Sequence, residues 1–247
     1  MKSERGVALL VTLMATTLLS AVGAALIVLT TTDVLIASNA GAAAEAFHAA
    51  NAAFERTVGE LRTAPDLTAV LDGRFASAFT DGPTGSRLLP DGSTITLSEV
   101  VNRAGCLRAT VCQPADLDAA LPDRPWGARN PRWKLFSYGP LDGISGFGAR
   151  GAAVFVVSMV ADDPLDDDGD AWRDGVRMGA SPNAGAGVLL VRAEAFGRRG
   201  AWRVVEGAIL RLDVQRFAAW EASDPLSRGP APLPFPQLQV LSWREVR

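Results

Sequence analysis

The sequence predicts an α+β protein, with one long N-terminal α-helix packed against an antiparallel β-sheet domain. Three observations carry this prediction. No charged side chain occurs from Gly6 to Thr32, and apolar residues then recur every three or four positions as far as Leu61. From Pro65 onward, short runs rich in β-branched and aromatic residues alternate with glycine and proline. A chain of 247 residues is long enough for one folded domain with an appendage.

The charge-free run is expected to form a transmembrane segment. Residues 7–32 exceed the roughly 20 apolar residues that a helix needs to cross a bilayer, and a polar leader, residues 1–6, precedes them. Lys2 and Arg5 place positive charge on the cytoplasmic side, so the rest of the chain would be exported. The run is longer than the apolar core of a cleaved secretory signal. A plain single-span anchor for an unrelated exported binding domain is the alternative.

Residues 33–64 are expected to continue the helix as an amphipathic segment. Its apolar face consists of Ala43, Phe47, Ala50, Phe54, Val58 and Leu61. Pro65 lacks an amide donor and disfavours helix in the residue before it, so the helix is expected to end at Ala64. His48, the only histidine, falls on the polar side and is expected to be a solvated surface residue.

Residues 65–247 are expected to form the exported β-rich domain. The candidate strands are Ser93–Val101, Trp133–Tyr138, Ala152–Val160, Gly187–Ala195, Trp202–Val214 and Gln237–Val246. The glycine-bearing segment Phe196–Gly200 predicts a hairpin between the fourth and fifth of these strands. In the fifth strand, apolar residues share a face with Val204, Ala208 and Leu210, which predicts that this face is buried.

Cys106 and Cys112 are the only cysteines, with five residues between them. In an exported chain, we expect such a pair to form a local disulfide that closes a small loop, with two free thiols as the alternative. A zinc site would need more cysteine or histidine ligands than the chain supplies.

One acidic segment carries a metal-ligand pattern. Four carboxylates stand at relative positions 1, 3, 5 and 9, as in calcium loops: Asp166, Asp168, Asp170 and Asp174. Ala171 stands where such loops usually carry glycine, and Arg177 where an EF-hand has its bidentate acid. Asp162 or Asp163 could substitute as a ligand if the loop folds back. The pattern therefore predicts a calcium site, with a solvated acidic turn as the alternative.

Composition and missing motifs argue against several classes of function. The net charge is −3 and the arginines form no cluster, so no nucleic-acid partner is expected. His48 alone, next to the membrane segment, leaves no usable base for a Ser-His-Asp or Cys-His site. Phosphate loops, dinucleotide fingerprints and zinc-protease motifs are missing. We therefore expect no enzymatic activity, although a pair of carboxylates, as in a glycosidase, is left open.

The N-terminus resembles that of type IV prepilins. In that family a short charged leader ends in glycine, a prepilin peptidase cuts after this glycine, and the new N-terminal residue is methylated. The matching run is Glu4-Arg5-Gly6 followed by Val7-Ala8-Leu9-Leu10. The resemblance therefore implies processing between Gly6 and Val7.

The match is closest to minor pilins of the PilX type, which lack the glutamate that major pilins carry five residues after the cut. Val11 stands at that position. Further similarity lies in Asp33–Asn39 and in the ending Ser242–Glu245. The glutamate is thought to neutralise the terminal amine of a neighbouring subunit in the apolar filament core, where a lone charge is costly. A subunit without it suits a cap or tip better than repeated stacking.

The resemblance implies a minor pilin-like structural subunit for type IV pilus assembly, in an initiation or tip complex. It implies a bacterial inner-membrane protein with an exported C-terminus that later reaches the pilus at the cell surface. The implied partners are other pilins, through the N-terminal helix, and the prepilin peptidase. The runner-up is the tip pseudopilin of a type II secretion system, which also lacks the glutamate but usually has a larger exported domain.

Overall fold

The computed structural model describes residues 4–141, 154–175, 183, 185–212 and 237–246. The helices are α1 (Glu4–Leu61), α2 (Leu67–Leu71), α3 (Leu97–Cys106) and α4 (Pro114–Leu117), with 3-10 turns at Gly127–Arg129 and Arg198–Gly200. The strands are β1 (Ser86–Leu88), β2 (Thr94–Thr96), β3 (Lys134–Pro140), β4 (Phe155–Asp162), β5 (Val188–Phe196), β6 (Trp202–Leu212) and β7 (Gln237–Val246). The chain divides into two compact units, Met1–Ala42 and Ala43–Arg247.

The first unit is the N-terminal part of α1, and it is long and apolar enough to cross a membrane. Every large apolar side chain from Val7 to Ile36 is exposed, Leu9 to 72%. Five threonine hydroxyls here donate to the carbonyl four residues earlier: Thr12, Thr16, Thr30, Thr31 and Thr32. These bonds satisfy the hydroxyls within the helix, so they need no water in a lipid environment.

The second unit begins with the remainder of α1, which supplies one side of the core. The predicted apolar face is confirmed, because Ala50, Phe54, Val58 and Leu61 are buried. Three further alanines extend the same buried face: Ala46, Ala49 and Ala53. His48 is exposed, as predicted. The helix ends at Leu61, three residues before the predicted end.

A five-stranded antiparallel sheet, in the order β3-β4-β5-β6-β7, forms the body of this unit. Strand β4 is buried at every position. One face of the sheet packs on α1 and α2 in a core that includes Val156, Val191 and Ile209. The opposite face, with Val157 and Met159, packs against α3 and the loop before β2. The α+β architecture, with a long apolar N-terminal helix and an antiparallel sheet, is confirmed.

Two predictions about the sheet domain are wrong. The run Ser93–Val101 is strand only over Thr94–Thr96, and α3 begins at Leu97. Leu97, Val100 and Ala104 lie on one face of the helix and are buried together. The free energy gained by burying this face outweighs the preference of the β-branched residues for a strand. The remaining strand predictions agree with the structure to within two residues where they fall on described residues, and β7 has the predicted bounds. Residues 152–153 and 213–214 of two predicted strands lie outside the described residues.

The predicted buried face of β6 is the second error, although Val204 on that face is buried. The α1-facing side carries Val205, Gly207 and Ile209, and these three residues are buried. The other side includes Glu206 and Arg192 of the neighbouring strand, which form an ion pair. Packing against α1 therefore selects the face that contains a glycine, because Phe54 needs the space that a side chain would fill.

Candidate functional site

The acidic segment after β4 borders a cleft of about 420 Å³. Aspartate side chains line one side of the cleft: Asp162, Asp163, Asp166, Asp168 and Asp170. Arg129, Asn130 and Arg132, from the segment between α4 and β3, also line it, together with Trp172. Negative and positive side chains therefore border one polar cleft beside the end of β4.

Asp166 holds the loop together. It is 5% exposed, and its carboxylate accepts three hydrogen bonds. Its Oδ1 accepts from Asn183 Nδ2 at 2.7 Å and from the backbone N–H of Asp168 at 3.0 Å. Its Oδ2 accepts from the backbone N–H of Gly175 at 2.7 Å. These donors join three separate points of the segment, so Asp166 has a structural role whether or not an ion is bound.

The alternate spacing of the aspartates has a local explanation. Each carboxylate in the series accepts from the amide two residues later: Asp166 from Asp168, Asp168 from Asp170 at 2.7 Å, and Asp170 from Trp172 at 3.1 Å. Such bonds are the Asx turns that aspartate favours in loops. The D-x-D-x-D pattern therefore stabilises consecutive turns, and it does so without requiring a metal.

Asp162, Asp166 and Asp168 form the one cluster of potential metal ligands found among the described residues. One carboxylate oxygen from each lies within 4.8 Å of the others. Burial, together with the negative charge of Asp166, raises the pKa of Asp162 to about 8. Burial likewise raises the pKa of Asp163. Three converging carboxylates, two of them buried, make a set of hard oxygen ligands of the kind that Ca²⁺ takes.

The structure brings only two of the four predicted calcium ligands into the cluster. Asp166 and Asp168 belong to the cluster, and Asp162 joins them from the end of β4, as considered for a loop that folds back. Asp170 lies outside the cluster. Asp174 lies outside it too, and its Oδ1 accepts from the backbone N–H of Gly187. Arg177 lies outside the described residues.

Asn183 is the contributor that sequence reasoning missed. It is 5% exposed and donates to Asp166 across 17 positions of sequence. An asparagine in a glycine- and alanine-rich segment gives no signal in the sequence that could have pointed to this contact.

The other predicted sites lie elsewhere. Cys106, the last residue of α3, forms a disulfide with Cys112. Gly6 and Val7 lie in the first turns of α1, and Val7 is 61% exposed.

No protein-family model, curated protein or solved structure matches this chain. A functional assignment therefore depends on the elements and contacts described above.

Proposed function

We propose that this chain is a minor pilin-like structural subunit, anchored in the bacterial inner membrane, that takes part in type IV pilus assembly. The observation that carries the proposal is α1. Its large apolar side chains are exposed from Val7 to Ile36, whereas its residues from Ala46 to Leu61 include the buried stripe of the folded unit. One helix thus combines a lipid-compatible surface with a domain attachment, and the helices of neighbouring subunits can replace the lipid.

The surface of the membrane segment supports close packing against other helices. Small residues lie within it at Ala8, Gly23, Ala24 and Ala25. A Cβ built on Gly23 would meet nothing within 4 Å, so this position is open to a neighbour. Small residues let helix backbones approach closely in a membrane, where van der Waals contact drives association. In this mechanism the exported domain sets the position of the subunit among its partners.

Val11 supports a cap or tip position. It is 57% exposed on the helix surface and cannot neutralise the terminal amine of a neighbouring subunit. In an apolar filament core, such an amine would need another partner. A subunit in an initiation or tip complex occurs once, so the cost of an unneutralised amine is not repeated along the shaft.

Mass spectrometry of the mature N-terminus tests the proposal. We expect a chain that begins with N-methylated Val7, and we expect Gly6→Leu to block processing. Gly23→Ala, inside the apolar run, is the matched control and should be processed normally. An intact Met1 would reject the pilin assignment and favour a single-span anchor for an unrelated exported binding domain. Co-purification with pili, and not with a type II secretion apparatus, separates the minor pilin from the tip pseudopilin.

A second proposal concerns calcium at the acidic cluster. Asp162 is 7% exposed, and no ion pair joins it to a lysine or arginine among the described residues. Burial, and then repulsion from Asp166, raise its pKa, and a divalent cation would offset both by binding the ionised carboxylate. The available Asp166 oxygens are limited, because three donors already bind them. Affinity in the range of extracellular modules, about 0.1–1 mM, is therefore expected.

Calorimetric titration of the full chain with CaCl₂ tests the calcium proposal. We expect saturable binding that Asp168→Asn weakens at least tenfold. Asp167→Asn, at an exposed neighbouring position outside the cluster, is the control and should bind normally. Asp170→Asn distinguishes the two possible ligand sets. Calcium affinity should be unchanged if the ligands are Asp162, Asp166 and Asp168, and it should fall if Asp170 is a ligand as the sequence predicts. No binding heat up to ~10 mM calcium, about ten times the dissociation constant of the weakest extracellular modules, would reject calcium.

A further inference from the structure

A cavity of about 320 Å³ lies between α3, the loop that joins β1 to β2, and the hairpin of β5 and β6. It borders the core cluster on the face of the sheet opposite α1, and it shares no lining residue with the acidic cleft. Its volume is at the lower end of the range for ligand pockets. The cavity is therefore sized for a small molecule or for one side chain of another polypeptide.

The walls of the cavity are partly apolar. Leu89 and Val100 are buried in the core cluster beside it, and Phe196 is partly buried against the same cluster. Trp202 also lines the cavity, is 48% exposed, and lies opposite Phe196 in the register of β5 and β6. The two aromatic side chains therefore share one face of the sheet and offer ring surface to the apolar part of a ligand.

Glu194 brings a buried carboxylate to the same cavity. It is 3% exposed, its Oε1 accepts from Arg192 Nε at 2.7 Å, and its Oε2 accepts from Trp202 Nε1 at 2.9 Å. A carboxylate offers about four lone-pair sites, so these two donors leave acceptor capacity for a ligand. The bond to Glu194 also holds the indole in place, and an indole is the preferred aromatic partner of a cation.

Asp91 gives the cavity an unpaired negative charge. Glu99 pairs with Arg103, and Glu194 has its own partner as described, whereas Asp91 forms no ion pair among the described residues. The Ser93 hydroxyl and backbone N–H donate to Asp91 Oδ1 at 2.6 Å and 2.9 Å, and these bonds lower the pKa of Asp91. Asp91 is therefore ionised at neutral pH and can attract one positive charge.

These carboxylates suit an organic cation better than a metal ion. A metal ion needs oxygens that converge on one point, and the one such group among the described residues is that of Asp162, Asp166 and Asp168. A guanidinium binds a carboxylate best through two parallel bonds, but each Glu194 oxygen already accepts one donor. An ammonium is a compact charge with three donors on a flexible stem, and one free lone pair is enough to bind it.

We propose that this cavity binds a primary ammonium group carried on a short alkyl stem. The ammonium donates to Glu194 and is attracted by the charge of Asp91, while Trp202 faces the cation and the stem packs on Leu89 and Val100. A free alkylamine and a lysine side chain of a partner protein carry this same group. The site depends neither on the membrane anchor nor on calcium.

Saturation-transfer difference NMR of the full chain, in nanodiscs of zwitterionic lipid, tests the inference. The first probe is n-butylammonium, for which we expect saturable binding with a dissociation constant on the order of 1 mM, as a ligand of so few atoms allows. The second probe is n-butanol, which has the same stem without the charge and should bind at least tenfold more weakly. Empty nanodiscs correct for partition of either probe into lipid.

Asp91→Asn tests the charge at the cavity. It should lower the affinity for n-butylammonium about threefold, which corresponds to an exposed ion pair, and it should leave the binding of n-butanol unchanged. Asp167→Asn removes an exposed carboxylate outside the cavity and is the matched control. Glu194 itself is kept in these experiments, because its substitution would remove a partner of Arg192 within a buried ion-pair network.

Trp202→Phe tests the aromatic wall. It removes the donor to Glu194 and replaces the indole with a weaker cation partner, so it should lower the affinity for n-butylammonium about fivefold. Trp172→Phe, at an exposed tryptophan outside the cavity, is the matched control and should bind normally.

The amide of Nα-acetyl-lysine separates the two sources of the ammonium group. Binding of both this compound and n-butylammonium supports a site that takes a lysine side chain, and binding of n-butylammonium alone supports a site for free amines. The inference is overturned if neither compound gives a saturable signal above that of empty nanodiscs. It is also overturned if n-butanol binds as well as n-butylammonium, or if each variant behaves like its control. N-terminal processing has no bearing on these measurements, so their failure and that of the proposed function are distinguishable.

Discussion

Phe54 of α1 lies directly against Gly207 of β6: a Cβ built on Gly207 would come 2.8 Å from Phe54 Cζ. The same Cβ would lie 2.5 Å from the Ser242 carbonyl oxygen of the neighbouring strand. Phe54 is completely buried. The glycine therefore allows the aromatic ring to approach the backbone in the middle of the sheet, and this contact fixes how α1 and β6 pack.

Gly207→Ala is expected to lower the free energy of unfolding of the sheet domain by about 1–3 kcal/mol, the usual cost of overpacking a core. Urea unfolding followed by circular dichroism measures the change. Gly59→Ala is the matched control, because a Cβ on this helical glycine meets nothing within 4 Å. It should raise stability by about 0.5–1 kcal/mol through helix propensity. Equal effects of the two substitutions would contradict the packing of Phe54 on β6.

Ser158 places an unsatisfied hydroxyl in the core. It is 0% exposed, and its Oγ has no hydrogen-bond partner among the described residues. Ser158→Ala removes a desolvated polar group and is expected to raise the free energy of unfolding by about 1 kcal/mol. Ser77→Ala should instead lower it by about 1–2 kcal/mol, because Ser77 Oγ donates to the Glu60 carboxylate and accepts from Phe79 N–H at 3.0 Å. Thermal and urea unfolding show whether each variant gains or loses stability. A loss of stability in Ser158→Ala would contradict an unpartnered hydroxyl.

Local patterns were sufficient to predict much of this fold. The apolar run of α1, its buried stripe at Ala50 and Phe54, and the bounds of β7 all follow from periodicity within one segment. The hairpin between β5 and β6 is also local, since its glycines mark the loop.

Features that depend on distant contacts were not predictable. The buried face of β6 is selected by Phe54, which lies far away in sequence, so alternation alone indicated the wrong side. In the candidate cluster, Asp162 is a substitute ligand that the sequence suggests for a loop that folds back, but Asn183 reaches Asp166 from a separate segment and could not be foreseen. In α3, tertiary burial of Leu97 and Val100 overrides a β-type composition.

The disulfide is expected to stabilise the end of α3. It closes a loop with a sequence separation of 6 between Cys106 and Cys112, for which chain entropy gives about 2 kcal/mol. The Cys106→Ser, Cys112→Ser double variant should therefore unfold at lower urea concentration than the unaltered chain. Reductant should lower the stability of the unaltered chain and leave the double variant unchanged. Full reduction, verified by thiol titration, without any loss of stability would contradict this role.

Asp162 is expected to make the sheet domain less stable as pH rises. Its pKa is raised from 3.8 to about 8 in the folded chain by burial and by the neighbouring Asp166 carboxylate. Below pH 4 both folded and unfolded chains hold the proton, and no penalty arises. Between about pH 4 and pH 8 the folded chain keeps a proton that the unfolded chain has released, so the contribution of Asp162 to the free energy of unfolding falls with pH. Above pH 8 the penalty is complete and constant.

Asp162→Asn isolates this contribution in chelator-treated buffer. The variant should match the unaltered chain near pH 4 and exceed its stability at pH 8, because asparagine carries no charge to be buried. Asp167→Asn, which removes an exposed carboxylate from the same segment, should leave the pH dependence of unfolding unchanged. Calcium should act in the opposite direction and stabilise the unaltered chain most above pH 8, where the Asp162 carboxylate is ionised and can bind a cation. An unaltered chain whose stability relative to Asp162→Asn rises from pH 5 to pH 8 would show that this carboxylate is ionised in the folded domain at neutral pH.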